Sequence, residues 1–191
     1  LMGIVLIPFR WADDGDKLAF IHQLMEEAFP AAERRSRRDF EALLASEPRF
    51  LLHLIYRDEA LVGFLSTWHL EGFYYGEHFA ILPTERNRGI GREVLHLLKS
   101  GVASSTPFVF EIEPPLDEWS RRRLAFYESM GMQVLSRSYI QPSYGEDRPA
   151  IPLYLMGNEW AVKGQDSEHY AQELYRHVYC KTPGEEKMHE S

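Results

Sequence analysis

Residues 76–113 constrain the fold more than any other stretch. A strand-like run, Gly76 to Leu82, is closed by Pro83. A loop with two arginines and two glycines follows. Gly89 to Ser100 then reads as a helix, with Val94, Leu95 and Leu98 on one side. A second strand-like run, Phe108 to Glu113, stops at Pro114-Pro115. Strand, helix, strand in so short a span requires a parallel pair with a right-handed crossover. The ligand site of such a sheet is expected at the C-terminal ends of those two strands.

Around this unit the remaining elements are mostly antiparallel. Gly3 to Arg10 reads as a first strand. Asp13 or Asp14 is placed to cap a helix reaching Phe29, with Leu18, Ile21, Leu24, Met25 and Ala28 inward; Pro30 ends it. Glu33 to Ser46 reads as a second helix, with Phe40, Leu43 and Leu44 inside and Arg34, Arg35, Arg37 and Arg38 outside as a solvated face. Arg49 to Arg57 and Leu61 to Leu70 suggest a hairpin through Asp58-Glu59-Ala60. A Gly-aromatic link, Glu71 to Tyr75, leads into the fourth strand. Downstream come a helix over Glu118 to Met130 with Gly131 as its C-cap, strands near Gln133 to Ile140 and Ala150 to Met156, and a last helix over Ser167 to Cys180.

The expected fold is therefore α/β. It has a central, mixed but mostly antiparallel sheet of about seven strands, one parallel pair and flanking helices. A chain of 191 residues suits one domain, read as 1–160 with residues 161–191 as a C-terminal helix and polar tail on the same domain.

Composition excludes several classes. A net charge of −8 argues against a general nucleic-acid binder. One cysteine, Cys180, excludes an internal disulfide and a four-cysteine zinc site, and fits a reducing, cytoplasmic setting. His169 and His177 lack a zinc-binding context, so no metal is expected. The longest apolar run, Ile4 to Ile7, is far short of a membrane span. The start has no basic n-region, so neither a signal peptide nor membrane association is expected.

The chemistry is concentrated in Arg86-Asn87-Arg88-Gly89-Ile90-Gly91-Arg92. Glycines let backbone N–H groups approach a phosphate, and the helix start adds unpaired donors and a positive dipole end. Arg86, Arg88 and Arg92 add charge-assisted bonds. The stretch is a complete pyrophosphate cradle. It is not a Walker loop, and the third glycine of a dinucleotide loop is replaced by Val94.

Arg86-x-x-Gly89-x-Gly91 resembles motif A of the GNAT N-acetyltransferase superfamily. Arg123-Leu124-Ala125-Phe126-Tyr127-Glu128-Ser129-Met130-Gly131-Met132 is similar to its motif B, with Met132 replacing the usual Phe. Ser120 stands where many members carry Asn. The resemblance covers about residues 3–157. It implies acetyl-coenzyme A as cosubstrate, with the pyrophosphate on the amides of Arg86 to Gly91 and pantetheine along the backbone of Phe79, Ala80 and Ile81. It also implies a primary-amine acceptor of small-molecule or peptide type, attacked directly in a ternary complex. The protein is expected to be a monomer or homodimer.

Acyl transfer to an amine needs a neutral nucleophile. A lysine-like amine of pKa near 10.4 is about one part in a thousand neutral at pH 7.4, a deficit of roughly 4 kcal/mol that a base or water relay must offset. Glu113, then Glu111, and Glu77 are the candidate bases; alternation puts Glu111 and Glu113 on one face. They serve equally well as a solvated face or as partners of nearby arginines. His78 reads as a partly buried, hydrogen-bonded residue. The resemblance makes Tyr127 the acid facing the coenzyme sulfur; by position alone it packs as a core aromatic beside Phe126. Trp68, Phe73, Tyr74 and Tyr75 either line an acceptor pocket or pack. Arg121, Arg122 and Arg123 either reach phosphates or lie exposed. A non-catalytic acyl-coenzyme A sensor on the same fold would lack a facing tyrosine and carboxylate.

Overall fold

The structure, a computed structural model, describes residues 3–181. The chain divides into two compact units, Leu1–Ser105 and Thr106–Ser191.

In the first unit, β1 (Ile4–Pro8), β2 (Phe50–Arg57), β3 (Ala60–Leu70) and β4 (Phe73–Ile81) pair in that order, all antiparallel. β3 is central, and Val62 to Trp68 are buried without a break, as a strand covered on both faces requires. Helix α1 (Trp11–Asp14) is one turn. The longer α2 (Leu18–Ala28) packs on β3 and β4, α3 (Arg37–Ser46) on β2, and α4 (Ile90–Ser100) on β1. Ile21, Leu24, Leu54, Ile55, Phe64 and Val94 fill the core. Gly63 is required on β3, because a Cβ there would lie 2.3 Å from the Ala80 carbonyl oxygen.

In the second unit, β5 (Phe108–Ile112), β6 (Gln133–Gln141) and β7 (Ile151–Gly157) form an antiparallel set with β7 central. Helix α5 (Glu118–Ser129) is closed by Gly131 at φ +85°. Two short helices end the described chain, α6 (Glu159–Gly164) and α7 (Ser167–His177). Asn158 ties them to β5. Its Oδ1 accepts from Phe108 N (3.0 Å) and Ala161 N (2.9 Å), and its Nδ2 donates to the Thr106 carbonyl (3.0 Å). Tyr170, Leu174 and Val178 are buried as their spacing predicts.

Seven strands and mostly antiparallel pairing match the expected α/β class. Several local expectations fail. The first long helix begins at Leu18, because the Asp14 carboxylate accepts the Arg10 N–H (2.9 Å) and pairs with Lys17 (2.8 Å) instead of capping forward. The next helix begins at Arg37, because Ser36 caps it through Asp39 N (3.1 Å); Arg34 and Arg35 therefore precede it. The link before β4 is only Glu71-Gly72, and Phe73, Tyr74 and Tyr75 belong to the strand. Helix α6 was not anticipated: six residues give too little periodicity to see. The polar tail after Thr182 lies outside the described residues.

Candidate active site

The loop between β4 and α4 has the geometry of an anion cradle. A single turn over Pro83–Glu85 ends at Arg86, whose Nε donates to the Ile81 carbonyl (2.9 Å) and so folds the strand end back. Asn87 (φ +61°) and Gly89 (φ +80°) both take the left-handed conformation, which turns the chain sharply into the helix. Helices α3, α5, α6 and α7 each start with a side-chain cap, from Ser36, Asp117, Asn158 and Asp166. Gly89, which starts α4, provides none. The first-turn amides of α4 have no carbonyl to bond within the helix, and Gly89 has no side chain to cap them. A Cβ at Gly89 would meet no atom of the described residues within 4 Å. Arg88 and Arg92 are exposed at the rim, and Ile90 is buried beneath it. The one carboxylate of the turn, Glu85, is paired with Arg57 (2.9 Å) and lies 4.0 Å from Arg88.

Four residues upstream of that strand end, β4 carries a bulge. The register runs Ser66 opposite His78 and then Thr67 opposite Gly76, so Glu77 is the extra residue. Ser66 Oγ fixes the bulge by accepting the His78 N–H (3.1 Å). Residues 29–35 close over it. Arg34 Nε donates to the Phe29 carbonyl (3.0 Å), Phe29 stands edge-on to the His78 ring (4.7 Å), and His78 Nε2 bonds the Glu33 carbonyl (2.7 Å). A carbonyl only accepts, so that nitrogen carries the proton. Burial holds the His78 pKa below the usual value, keeping the ring neutral.

The Glu77 carboxylate is fully out of solvent. One oxygen accepts from Arg35 and the other from Trp68 Nε1 (2.8 Å). Burial pushes its pKa up. The charge of Arg35 and the hydrogen bonds from Trp68 and Arg35 outweigh burial and hold the carboxyl below its ordinary range. Arg35 and Arg49 both stand 5.9 Å from the Trp68 ring centroid. Arg35 is thus a buried partner of Glu77, not part of a solvated helix face. The signal for this was Ser36-Arg37-Arg38-Asp39, a cap pattern that places the helix start after Arg35.

In the second unit Tyr127 lies late on α5, half-buried against Phe110 (4.7 Å) and Phe126 (5.3 Å). Burial pushes its phenol pKa up; the charge and hydrogen bond of Arg123 oppose that, and the Glu113 charge adds to it. Arg123 Nη1 donates to Glu113 Oε1 (2.9 Å). Arg123 is therefore a partner of Glu113, whereas Arg122 pairs at the surface with Glu118. Strand β5 ends at Ile112, one residue before Glu113, so Glu113 lies beyond the pleat. Glu111 is taken up by the hydroxyls of Tyr139 and Tyr179, the latter 2.9 Å from both oxygens.

Ser120 is buried as the reciprocal partner of Asp117 in a capping box, which explains a serine there. Trp68, Phe73 and Tyr75 are core residues, and Tyr74 packs on His69 (4.3 Å). Phe79, Ala80 and Ile81 lie on β4 opposite Leu65, Phe64 and Gly63. Cys180 is exposed. Among the described residues, no cluster of His, Cys, Asp and Glu has metal-binding geometry, and no helix is long and apolar enough to cross a membrane.

The sequence pattern of the acetyltransferase (GNAT) family matches residues 18–132. A GNAT-family protein from Bacteroides thetaiotaomicron is 31% identical, with a TM-score of 0.83 over 92% of this chain and 98% of its own. The ribosomal-protein-S18-alanine N-acetyltransferase of Escherichia coli shares the fold at 19% identity and TM-score 0.57, over 82% of this chain and 93% of its own. So does Arabidopsis thaliana Naa50, solved with the bisubstrate analogue CoA-Ac-MVNAL, at 17% identity and TM-score 0.56, over 82% and 98%. No curated protein matches the chain by sequence.

Proposed function

Because the chain belongs to the acetyltransferase (GNAT) family, we propose that it moves an acetyl group from acetyl-coenzyme A directly to a primary amine. The observation that carries this reading is the uncapped start of α4, framed by Asn87 and Gly89 in left-handed conformation and by Arg88 and Arg92. That arrangement fits a pyrophosphate: a helix start without a capping side chain, a positive helix end and two exposed guanidinium groups. Arg86 shapes the loop through Ile81, and the backbone of Phe79 to Ile81 is assigned to pantetheine.

Acetyl-coenzyme A supplies the activated acyl group and a sulfur leaving group. The protein's part is to hold the amine, remove its proton and protonate the sulfur. Tyr127 is the acid: burial keeps its phenol protonated at neutral pH. Glu113 is the first candidate to accept the amine's proton, through water. Glu77 ranks second, because both its oxygens hold hydrogen bonds and its carboxyl is a weakened base. Such carboxylates attract an ammonium and orient it, but they take its proton only through a relay or from the small neutral fraction.

The test is binding followed by turnover. Acetyl-coenzyme A is expected to raise the melting temperature by mass action. Gly89→Val is expected to remove that shift with the fold retained, since a β-branched residue at φ +80° distorts the loop. Thiol release is then measured against spermidine, glucosamine and a peptide with a free N-terminus. No melting shift at millimolar coenzyme, or unaltered binding by Gly89→Val, would overturn the cradle. Coenzyme binding without turnover of any primary amine would favour a sensor.

A further inference from the structure

The cradle loop places a carboxylate among its cations. Glu85 comes directly before Arg86, Asn87 and Arg88. A negative charge there opposes the anion that the loop is assigned to hold. Glu85 closes the single turn Pro83–Glu85, in which the Glu85 N–H donates to the Leu82 carbonyl (2.9 Å) and the Arg86 N–H to the Pro83 carbonyl (3.3 Å). Its side chain is only 15% exposed. Arg57, the last residue of β2, reaches it from two strands away from β4 in the sheet order. Arg57 Nη2 donates to Glu85 Oε1 (3.0 Å) and stands 2.9 Å from Oε2. Oε2 is out of solvent and accepts no hydrogen bond from the described residues. Arg88 Nη1 lies 4.0 Å from that same oxygen, with the Arg88 side chain 54% exposed. One carboxylate thus stands between two guanidinium groups, one anchored on a strand and one at the rim of the cradle.

We propose that Arg57 is a positioning residue for coenzyme binding: it neutralises Glu85 and so leaves Arg88 to the pyrophosphate. The inference rests on the cradle assignment made above. A carboxylate and a pyrophosphate compete for one guanidinium, because both offer anionic oxygens to its N–H donors. Glu85 is three residues from Arg88 and already within 4.0 Å of it, so it is the nearest competitor. Arg86 cannot stand in, since its Nε is held by the Ile81 carbonyl. With Arg57 bonded to Glu85 the pair carries no net charge, and Arg88 stays at the rim. Without Arg57 the carboxylate would have Arg88 as its remaining cation within 4 Å among the described residues. It would then draw Arg88 off the rim and repel the phosphates as well. Arg57 acts through Glu85 and need not touch the coenzyme. The two members of the pair should therefore affect binding unequally: losing Arg57 harms it, and losing Glu85 does not.

Rescue by the second member tests this. Coenzyme A binding is measured by titration calorimetry for the parent, Arg57→Met, Glu85→Gln, the double variant and Arg57→Lys, each first shown to keep the parent's circular dichroism spectrum. Arg57→Met is expected to raise Kd roughly fivefold, the scale of one uncompensated charge a few ångströms away under water-like screening. Glu85→Gln should bind at least as tightly as the parent. Adding it to Arg57→Met should restore the parent's Kd, because the competing carboxylate is gone. Arg57→Lys, which keeps the charge, should recover most of the loss. In thiol release from acetyl-coenzyme A with the fastest of the three amines, KM for the coenzyme should follow Kd and kcat should stay unchanged. A double variant as weak as Arg57→Met would overturn the role, since Arg57 would then bind the coenzyme itself. Glu85→Gln as weak as Arg57→Met would overturn it too, because the pair would then only hold the turn in shape. Failure of the parent to bind coenzyme A, or normal binding by Gly89→Val, would overturn the cradle rather than Arg57.

Discussion

Glu77 and Glu113 each pair with an arginine from another element, in opposite surroundings. The Glu77 carboxylate and the Arg35 side chain are 0% and 9% exposed; Glu113 and Arg123 are 33% and 36% exposed. Glu77 sits on a strand bulge beneath residues 29–35, with Trp68 closing its second oxygen. Glu113 sits past a strand end, where water reaches it. Attraction between buried charges is strong, but so is the cost of removing them from water. The Glu77 pair is therefore rigid and intolerant of losing one member. The Glu113 pair is weak in stability terms and free to respond to a substrate. That contrast suits Glu113 to the proton handling proposed for it and Glu77 to holding the β4 bulge in place.

The sharpest way to break the contrast is to remove the arginines one at a time. Arg35→Met is expected to cost about 3 to 5 kcal/mol, because it leaves a buried carboxylate without its countercharge. Adding Glu77→Gln should recover much of that loss, since the uncompensated charge disappears. Arg123→Met is expected to cost less than about 1 kcal/mol. Equilibrium denaturation of the four proteins measures all these differences. A loss below about 1 kcal/mol for Arg35→Met would show that water enters the bulge and that Glu77 is as accessible as Glu113.

Acid sharpens the comparison at smaller scale. The folded pKa of Glu77 is held below its ordinary 4.5. A depressed carboxylate contributes its stability in full above the unfolded pKa and loses it as pH falls through the folded one. Glu77 should add nothing to the pH dependence between pH 9 and 5. Below about pH 4.5 its contribution should fall away, by up to about 1.4 kcal/mol per pH unit, the limit for one proton. His78, whose burial keeps it neutral, starts a separate loss below its ordinary 6.5. The two are separated by comparing the parent with Arg35→Met/Glu77→Gln, in which only the lower loss should vanish. Equal slopes below pH 4.5 would mean that Glu77 is not depressed in the folded protein.

The two pairs also mark what was legible in the sequence. The turn from β4 into α4 was readable because it has a compact signature: two glycines and three arginines between a strand and a helix. The place of Tyr127 late on a helix was readable through the family motif, and His78 as a buried, bonded histidine. Neither arginine was assigned its partner. Arg123 is ten residues from Glu113, but the joining turn through Pro114-Pro115 has no pattern that fixes where the helix face points. Arg35 is forty-two residues from Glu77, and their meeting depends on a bulge that nothing in Tyr75-Gly76-Glu77-His78 announces. Long-range pairing of charges is set by strand register and by which residue a cap excludes from a helix. Periodicity senses neither. The same limit hid Glu111, whose partners Tyr139 and Tyr179 come from β6 and the end of the chain.

Salt gives the smallest effect and the most selective one. Screening reaches charges that water reaches: the Debye length falls from about 8 Å at 0.15 M to about 3 Å at 1 M. The Glu113–Arg123 pair is a third exposed on both sides, so its small contribution should fade across that range. The Glu77–Arg35 pair is enclosed by Trp68 and residues 29–35 and should be nearly unaffected. Salt also changes the parent's stability through every other surface charge. The useful quantity is therefore the difference between each variant and the parent at the same salt. For Arg123→Met that difference should shrink from a few tenths of a kcal/mol toward zero by 1 M sodium chloride. For Arg35→Met it should hold steady. Were both differences to shrink together, the two pairs would be equally solvated. The contrast between a fixed pair at Glu77 and a responsive pair at Glu113 would then have no electrostatic basis.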